Sequence, residues 1–268
     1  MTLKIATWNI NSVRLRIDLV CRFLRDWQPD LLCLQETKCP QGQFPSAPLN
    51  DLGYGHIAES GQKGYHGVAI VSRIPFVSTK VKSLCAKDDC RHIAVTIKAQ
   101  KSLTIHNLYV PAGGDVPDPT VNDKFAHKLQ FLQELEDWFG EGSIVENHEG
   151  VVVGDLNIAP LEHDVWSHKE LLKVVSHTPV EIAALTRVQR AGAWVDLMRQ
   201  HVPAEQKLYT WWSYRAKDWA ESNRGRRLDH VWSTPKLAPL CNQIKVLREA
   251  RSWTQPSDHA PVIASFDL

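Results

Sequence analysis

Short apolar runs, each closed by a turn, an amide or a carboxylate, recur from one end of the chain to the other. Lys4 to Trp8 has the pattern of a strand and Leu31 to Leu34 that of a short buried one. Gly67 to Ser72, Ala94 to Lys98 and Leu103 to Val110 read as further strands, the last ended by Pro111 and the Gly113-Gly114 turn signal. Val151 to Val153, Leu228 to Trp232 and Pro261 to Phe266 continue the series. Between them, Arg16 to Trp27 carries Ile17, Val20, Phe23 and Leu24 at helical spacing. Lys124 to Phe139, with Phe125, Leu129, Leu132, Leu135 and Trp138, is the strongest amphipathic helix. Helices separated by groups of strands predict a two-layered sheet core with helices outside it. No Pro/Gly/Ser-rich linker, repeat or low-complexity stretch divides the pattern, so one domain spanning 1–268 is expected.

Composition narrows the class. With 43% hydrophobic and 23% charged residues, the 268-residue sequence has the composition of an ordinary globular protein, and neither disorder nor fibre is suggested. Met1-Thr2-Leu3-Lys4-Ile5 enters a strand pattern at once, and no apolar run approaches the length that spans a bilayer. A soluble, unexported, cytoplasmic protein without membrane contact is expected. Six cysteines (Cys21, Cys33, Cys39, Cys85, Cys90 and Cys241) show no CxxC spacing, which predicts buried free thiols rather than disulfides or a zinc site.

Four clusters sit at the ends of apolar, strand-like runs: Thr7-Trp8-Asn9, Leu34-Gln35-Glu36-Thr37, Gly154-Asp155-Leu156-Asn157 and Ser257-Asp258-His259. Taken singly, each has an ordinary reading as a turn or cap. Their recurrence in one context gathers carboxylates, amides and a histidine at one mouth of a sheet, which is what a divalent metal and a hydrolytic water require.

A net charge of +1 conceals a local asymmetry. From Lys207 to Asp229 the chain sets Lys207, Arg215, Lys217, Arg224, Arg226 and Arg227 among Tyr209, Trp211, Trp212, Tyr214 and Trp219. Cations among aromatics suit a nucleic-acid backbone and its bases; an exposed turn with its aromatics folded inward is the alternative.

The motifs together resemble the exonuclease III family of apurinic/apyrimidinic endonucleases, within the endonuclease/exonuclease/phosphatase superfamily. Asn9-Ile10-Asn11 with Arg14, Leu34-Gln35-Glu36-Thr37-Lys38 and Tyr109-Val110-Pro111 are similar to its first three motifs. Gly154-Asp155-Leu156-Asn157-Ile158-Ala159-Pro160, Arg227-Leu228-Asp229-His230 and Ser257-Asp258-His259-Ala260-Pro261-Val262 are similar to the remaining three, in order. The resemblance implies a four-layered α/β sandwich of two packed mixed sheets flanked by helices. It also implies Mg²⁺ dependence, with Mn²⁺ as an alternative, and a monomer acting on double-stranded DNA at abasic sites or 3′ ends. The implied activities are cleavage 5′ to abasic sites, 3′-to-5′ exonuclease and 3′-end phosphodiesterase and phosphatase repair.

Phosphodiester hydrolysis needs a base for the water, charge neutralisation and help for the leaving group. Glu36 is the first choice for the metal, with Asn9 as an oxygen ligand or a hydrogen-bond partner of Glu36, as the resemblance implies. Asp155 and Asn157, two apart, point to the same side of an extended segment. There Asp155 would orient and deprotonate water while Asn157 donates to the phosphate; both are also metal candidates. Asp229 is expected to fix His259, itself a catalytic and a metal candidate, and Asp258 to be an outer or second metal ligand. Tyr109 is expected to reach the phosphate or the leaving oxygen. Lys38, Arg91, Trp211, Arg226, Arg227 and Leu228 are the candidate DNA contacts, with Trp211 and Leu228 lining the sugar pocket.

Two positions depart from the family pattern. Ala112 stands where relatives often place an amide, and Arg226 where some have a large apolar residue beside the pocket. The second departure bears on the balance between abasic-site cleavage and exonuclease activity. A relative acting on a non-DNA phosphate ester is the alternative function, and a DNA-binding module without activity a further one.

Overall fold

The computed structural model describes residues 2–99, 101–141, 149–216 and 218–268; Met1 and Lys217 of the basic segment lie outside the described residues. The first eight strands are β1 (Thr2–Asn9), β2 (Leu31–Gln35), β3 (His56–Ser60), β4 (Val68–Ser72), β5 (Phe76–Lys80), β6 (His92–Lys98), β7 (Ser102–Tyr109) and β8 (Glu149–Asp155). They are followed by β9 (Val195–Asp196), β10 (Trp211–Trp212), β11 (Gly225–Arg226), β12 (Asp229–Ser233), β13 (Cys241–Val246) and β14 (Val262–Asp267). The helices are α1 (Ile17–Trp27), α2 (Ala47–Asn50), α3 (Asp123–Gly140), α4 (His168–Leu171), α5 (Pro179–Ala191), α6 (Leu197–His201) and α7 (Trp219–Ser222).

One six-stranded sheet has the order β13-β14-β1-β2-β4-β3 and the other β5-β6-β7-β8-β12-β9. Each is mixed, with one parallel pair, β1 with β2 and β7 with β8, whose crossovers carry α1 and α3. The alternation within a strand explains why both faces of the central strands read as apolar. In β2, Leu31 and Cys33 turn toward the other sheet, while Leu32 and Leu34 pack with Val20, Phe23 and Leu24 of α1. In β8, Val151 and Val153 join the layer between the sheets, and Val152 packs with Phe131, Leu132 and Leu135 of α3 and Leu185 of α5. Helix, sheet, sheet, helix is the four-layered sandwich expected. Phe23 and Leu24 are fully buried, and each such side chain contributes roughly 1.5–3 kcal/mol.

The long periodic elements fall within about two residues of their sequence-based bounds. Strands β3, β5 and β13 were not anticipated: β5 is a mostly exposed edge strand, and in β13 a bulge between Cys241 and Gln243 breaks the alternation that Ile244 and Val246 carry on. Helix α5 was also missed, although Thr178-Pro179-Val180-Glu181 is a capping box with proline in the first turn. All six cysteines are free, five of them buried. Among the described residues no helix is long and apolar enough to cross a membrane.

A charged network ties the second sheet to its periphery. Arg227 is fully buried and donates from Nε and Nη2 to Asp164 and from Nη1 to Asp196, each at 2.7–2.8 Å. Arg199 meets the same Asp164 carboxylate at 2.6 Å. The expectation that Arg227 contacts DNA is therefore corrected: its fully buried guanidinium is spent on the buried Asp164 and the partly buried Asp196. Deleting one member of a buried ion pair strands the opposite charge. Arg227→Met should lower the free energy of unfolding by about 3–5 kcal/mol, read from urea melts at constant slope; a loss below about 1 kcal/mol would place the network outside the fold's stabilising contacts.

Candidate active site

Strand ends from both sheets meet at one mouth. In the second sheet, Tyr109, Asp155 and Asp229 are direct cross-strand partners along one row of β7, β8 and β12. In the first, Asn9 pairs with Gln35, and Glu36 follows as the chain leaves β2. Glu36 has φ +47°, and Asn11, Lys38, His66 and Asn157 share that left-handed region. Such backbone is unfavourable for residues other than glycine, and its clustering here marks a site held by its surroundings.

The Asn9 amide is fully buried, and its Nδ2 donates to Glu36 Oε1 at 3.0 Å and to Asp155 Oδ2 at 2.9 Å. Its Oδ1 accepts from the Asn11 backbone N–H at 3.1 Å. Asn9 thus bridges two carboxylates as a donor, the second of the two roles expected for it. Lys38 Nζ lies 2.8 Å from Glu36 Oε2 and 2.6 Å from Asn11 Oδ1. Burial pushes the Glu36 pKa up, but Lys38 and the Asn9 hydrogen bond outweigh it and hold the carboxyl below its usual range.

Asp155 is moved the other way. Burial, with Asp229 and Glu36 nearby, raises its pKa against the opposing pull of His259 and Asn9. A carboxylate raised toward neutrality is suited to take a proton from water. Asn157 does not continue the strand: β8 ends at Asp155, and Asn157 has φ +54°. Its backbone N–H donates to Asp155 Oδ1 at 2.9 Å, an Asx turn, and its Nδ2 donates to Val110 O and Asp155 Oδ2. The expectation of an extended pair with Asn157 free to donate to phosphate is corrected: a left-handed turn aims both amide hydrogens at protein acceptors.

His259 Nδ1 lies 2.8 Å from Asp229 Oδ2, and Nε2 lies 3.6 Å from Asp155 Oδ2. Burial disfavours its charged form, but Asp229 and Asp155 dominate and push the pKa up. Ser257 is a brace, its hydroxyl donating to Asn9 O at 2.6 Å and accepting from the His259 N–H. Asp258 accepts from Asn11 Nδ2 at 3.1 Å and from Trp211 Nε1 at 2.9 Å, which fixes that indole. Asp155, Asp229 and His259 place one ligand atom each within 4.8 Å of the others. Two of these three donors are hard carboxylate oxygens, and Asp229 Oδ1 is a buried acceptor without a hydrogen bond among the described residues. Such a set fits a hard divalent cation.

A cavity of about 750 Å³ opens over these groups, with Glu36, Tyr109, Asp155, Asn157 and His259 at its base and Trp211, Leu228 and Arg226 on its wall. Arg226 donates from Nη1 to Val175 O at 3.0 Å and Ser176 Oγ at 2.8 Å, and its guanidinium lies 5.3 Å from the Trp211 ring centre. The basic, aromatic segment divides: Tyr209 is buried behind the cavity, whereas Trp211, Trp212, Arg215, Trp219 and Arg224 line it, Trp212 with little exposure. Arg91 is corrected from an outward phosphate contact. It is 8% exposed, is 2.5 Å from Asp89, and lies 5.0 Å from the Tyr109 ring centre, which it braces.

Two features escaped the sequence reading. Lys128 is fully buried, 2.6 Å from Glu181 Oε1, and donates to Asn157 O at 2.8 Å and Ala112 O at 3.3 Å. Its signal was a cation at helical spacing between Phe125 and Leu132. The segment between β3 and β4 also reaches the mouth, where the Thr37 and Lys38 N–H groups donate to Gly67 O and His66 O. It carries Tyr65, 72% exposed, but no pattern marked it.

Residues 6–259 match the Endonuclease/Exonuclease/phosphatase family. The chain is 30% identical to exodeoxyribonuclease III of Haemophilus influenzae over 98% of its length and all of the relative's. A solved AP endonuclease from Archaeoglobus fulgidus superposes with a TM-score of 0.90 at 33% identity, covering 99% of this chain and 100% of that one. A 3′ phosphatase from Neisseria, solved with a product DNA hairpin, gives 0.89 at 34% identity over the same shares. With its six motifs converging on one mouth between two sheets, the chain belongs to the exonuclease III branch of the endonuclease/exonuclease/phosphatase family.

Proposed function

We propose that the protein is a Mg²⁺-dependent DNA repair nuclease that hydrolyses the phosphodiester 5′ to abasic sites, with 3′-to-5′ exonuclease and 3′-end repair activity. The observation that carries this reading is the convergence of Glu36, Asp155, Asp229 and His259 beneath a cavity walled by Trp211, Leu228 and Arg226. The relatives named as exodeoxyribonuclease, AP endonuclease and 3′ phosphatase support it.

In this mechanism Asp155, its pKa raised by burial, orients the attacking water and takes its proton. Asn157 and Asn9 aim that carboxylate by donating to Oδ2. His259, held charged by Asp229, donates to a phosphate oxygen and steadies the charge that builds there. With Nδ1 held by Asp229 and Nε2 free of any hydrogen bond among the described residues, the charged ring keeps an N–H to donate and has no lone pair for a metal. Tyr109, braced by Arg91, is placed beside Glu36 to meet the phosphate or the departing oxygen. Glu36 and Asp155 are the carboxylates that would hold Mg²⁺, with Asp258 further out. The bound ion would neutralise phosphate charge and assist the leaving group. Trp211 and Leu228 offer an apolar wall to a base-free sugar, and a pocket that selects by size needs no base reading. Lys38, Arg215 and Arg224 supply cations at the rim for the DNA backbone.

A duplex oligonucleotide with one abasic-site analogue, labelled at its 5′ end, should be cut once, immediately 5′ to the analogue, with Mg²⁺ and not with EDTA. A ladder shortened from the 3′ end would make exonuclease the main activity; no cutting would favour a non-DNA phosphate ester. Glu36→Gln and Asp155→Asn should each lower the cleavage rate by about 10²–10³-fold with unchanged circular dichroism, and parent rates in both would overturn the site. Arg215→Ala should reduce the slope of log affinity against log salt by about one, whereas Arg227→Met should leave the slope unchanged.

A further inference from the structure

A second cavity, of about 430 Å³, lies away from the active site on the helix-covered face of the second sheet. Its floor is β6 and β7, through His92, Thr96, Thr104 and His106; Trp138 of α3 forms one side, and Lys80 and Lys82 stand at its edge. His92 and His106 are 1% and 5% exposed, stack with ring centres 5.4 Å apart, and take no part in the chemistry above.

Hydrogen bonding fixes where their protons lie. The Lys82 backbone N–H can only donate, and it donates to His92 Nδ1 at 3.1 Å. Burial, with His106 and Lys82 adding to it, holds the His92 pKa far down, so the ring is neutral and carries its proton on Nε2. That proton is donated to His106 Nδ1, 3.1 Å away. His106, lowered to about 4 by burial and by Lys80, is neutral as well, so its own proton sits on Nε2. This last N–H has no acceptor among the described residues, and the ring that bears it lines the cavity. A backbone-anchored relay thus turns the donor of a largely buried ring into the cavity, beside two ammonium groups and an indole. Glu149, the acidic residue of the lining, is paired with Lys101 at 3.4 Å.

We propose that this cavity is a binding site for a small organic oxyanion carried on an apolar or aromatic body. His106 Nε2–H and the Thr96–Thr104 hydroxyl pair, 3.1 Å apart, meet its polar atoms. Lys80 and Lys82 neutralise its charge, and Trp138, Val81 and Ala94 cover its body. The proposal does not depend on the nuclease reading. Its chemistry accommodates a phosphate monoester or a carboxylate, and the probes separate the two: deoxyadenosine monophosphate and benzoate, titrated calorimetrically into the full-length protein.

At least one probe should bind with single-site stoichiometry. Its affinity should fall by about tenfold or more in His106→Phe, which keeps a ring but deletes the donor, and in Lys82→Ala. The Lys82 substitution removes a half-buried side chain outside any strand, so it remains informative if His106→Phe does not fold. Absence of binding by both probes, or binding that neither variant alters, overturns the site; the second result would assign the probe to the catalytic cavity.

Discussion

A single side-chain amide holds the two halves of this active site together. Asn9 comes from the first sheet, Asp155 from the second, and Glu36 from the loop that follows β2. The two hydrogens of Asn9 Nδ2 are divided between the two carboxylates. Two carboxylates brought this close repel, and the repulsion grows as water is excluded. The bridging amide offsets part of that, and Lys38 on one side and His259 on the other offset more. The remaining excess of negative charge is what equips the site for a divalent cation. The opposed shifts of Glu36, held low, and Asp155, raised, follow from the same geometry: Glu36 has the ammonium, whereas Asp155 has burial and two carboxylate neighbours.

That bridge requires the sheets to be in one register, and the layer behind it supplies the constraint. Asn107, fully buried on β7, donates across the interface to Leu34 O and Ala69 O and accepts from Gln35 Nε2 at 2.7 Å. Gln35 also donates to Thr7 Oγ1 at 2.9 Å. Apolar contacts between the sheets tolerate sliding, since they are non-directional. Hydrogen bonds from a buried amide to two carbonyls of the opposite sheet do not, because a slip would leave strong polar groups unpaired. The polar layer therefore converts a hydrophobic sandwich into one with defined alignment at the end where chemistry is expected.

Much of this was legible in the chain. The long helices and central strands follow from periodicity, and the carboxylates and amides of the mouth stood out because each closed an apolar run. What was hidden is of two kinds. Edge strands β5 and β13 are paired on one side and meet the core through only a few side chains, Phe76 in β5 and Cys241, Ile244 and Val246 in β13, too few to mark a strand. Charged residues are the harder case, because composition does not say whether a cation faces water or a buried carboxylate. Arg226 and Arg227 are adjacent in a basic segment, yet one lines the cavity and the other is sealed between Asp164 and Asp196. Arg226 ends β11 and Arg227 follows it, and the two side chains part at that point, one to the Val175 and Ser176 wall and the other to Asp164.

The same reasoning bears on the two departures from the family pattern. Ala112 offers no side-chain donor, yet the segment after Pro111 is held through its backbone: Lys128 takes Ala112 O, and Asn122 Nδ2 takes Gly113 O at 3.0 Å and Val116 O at 2.6 Å. Gly113 has φ +89°, and a Cβ there would lie 2.9 Å from the Lys128 side chain, so glycine permits this close approach. Lys128 also holds Asn157 O and pairs with Glu181, which accepts from the N–H of Ser176, whose hydroxyl in turn meets Arg226. A continuous chain of hydrogen bonds and ion pairs therefore joins the turn that aims Asp155 to the wall of the cavity. Arg226 is consequently one end of the network that holds the Asp155–Asn157 turn, as well as part of the cavity wall. The size of the pocket and the alignment of Asp155 are set by one connected set of buried polar groups.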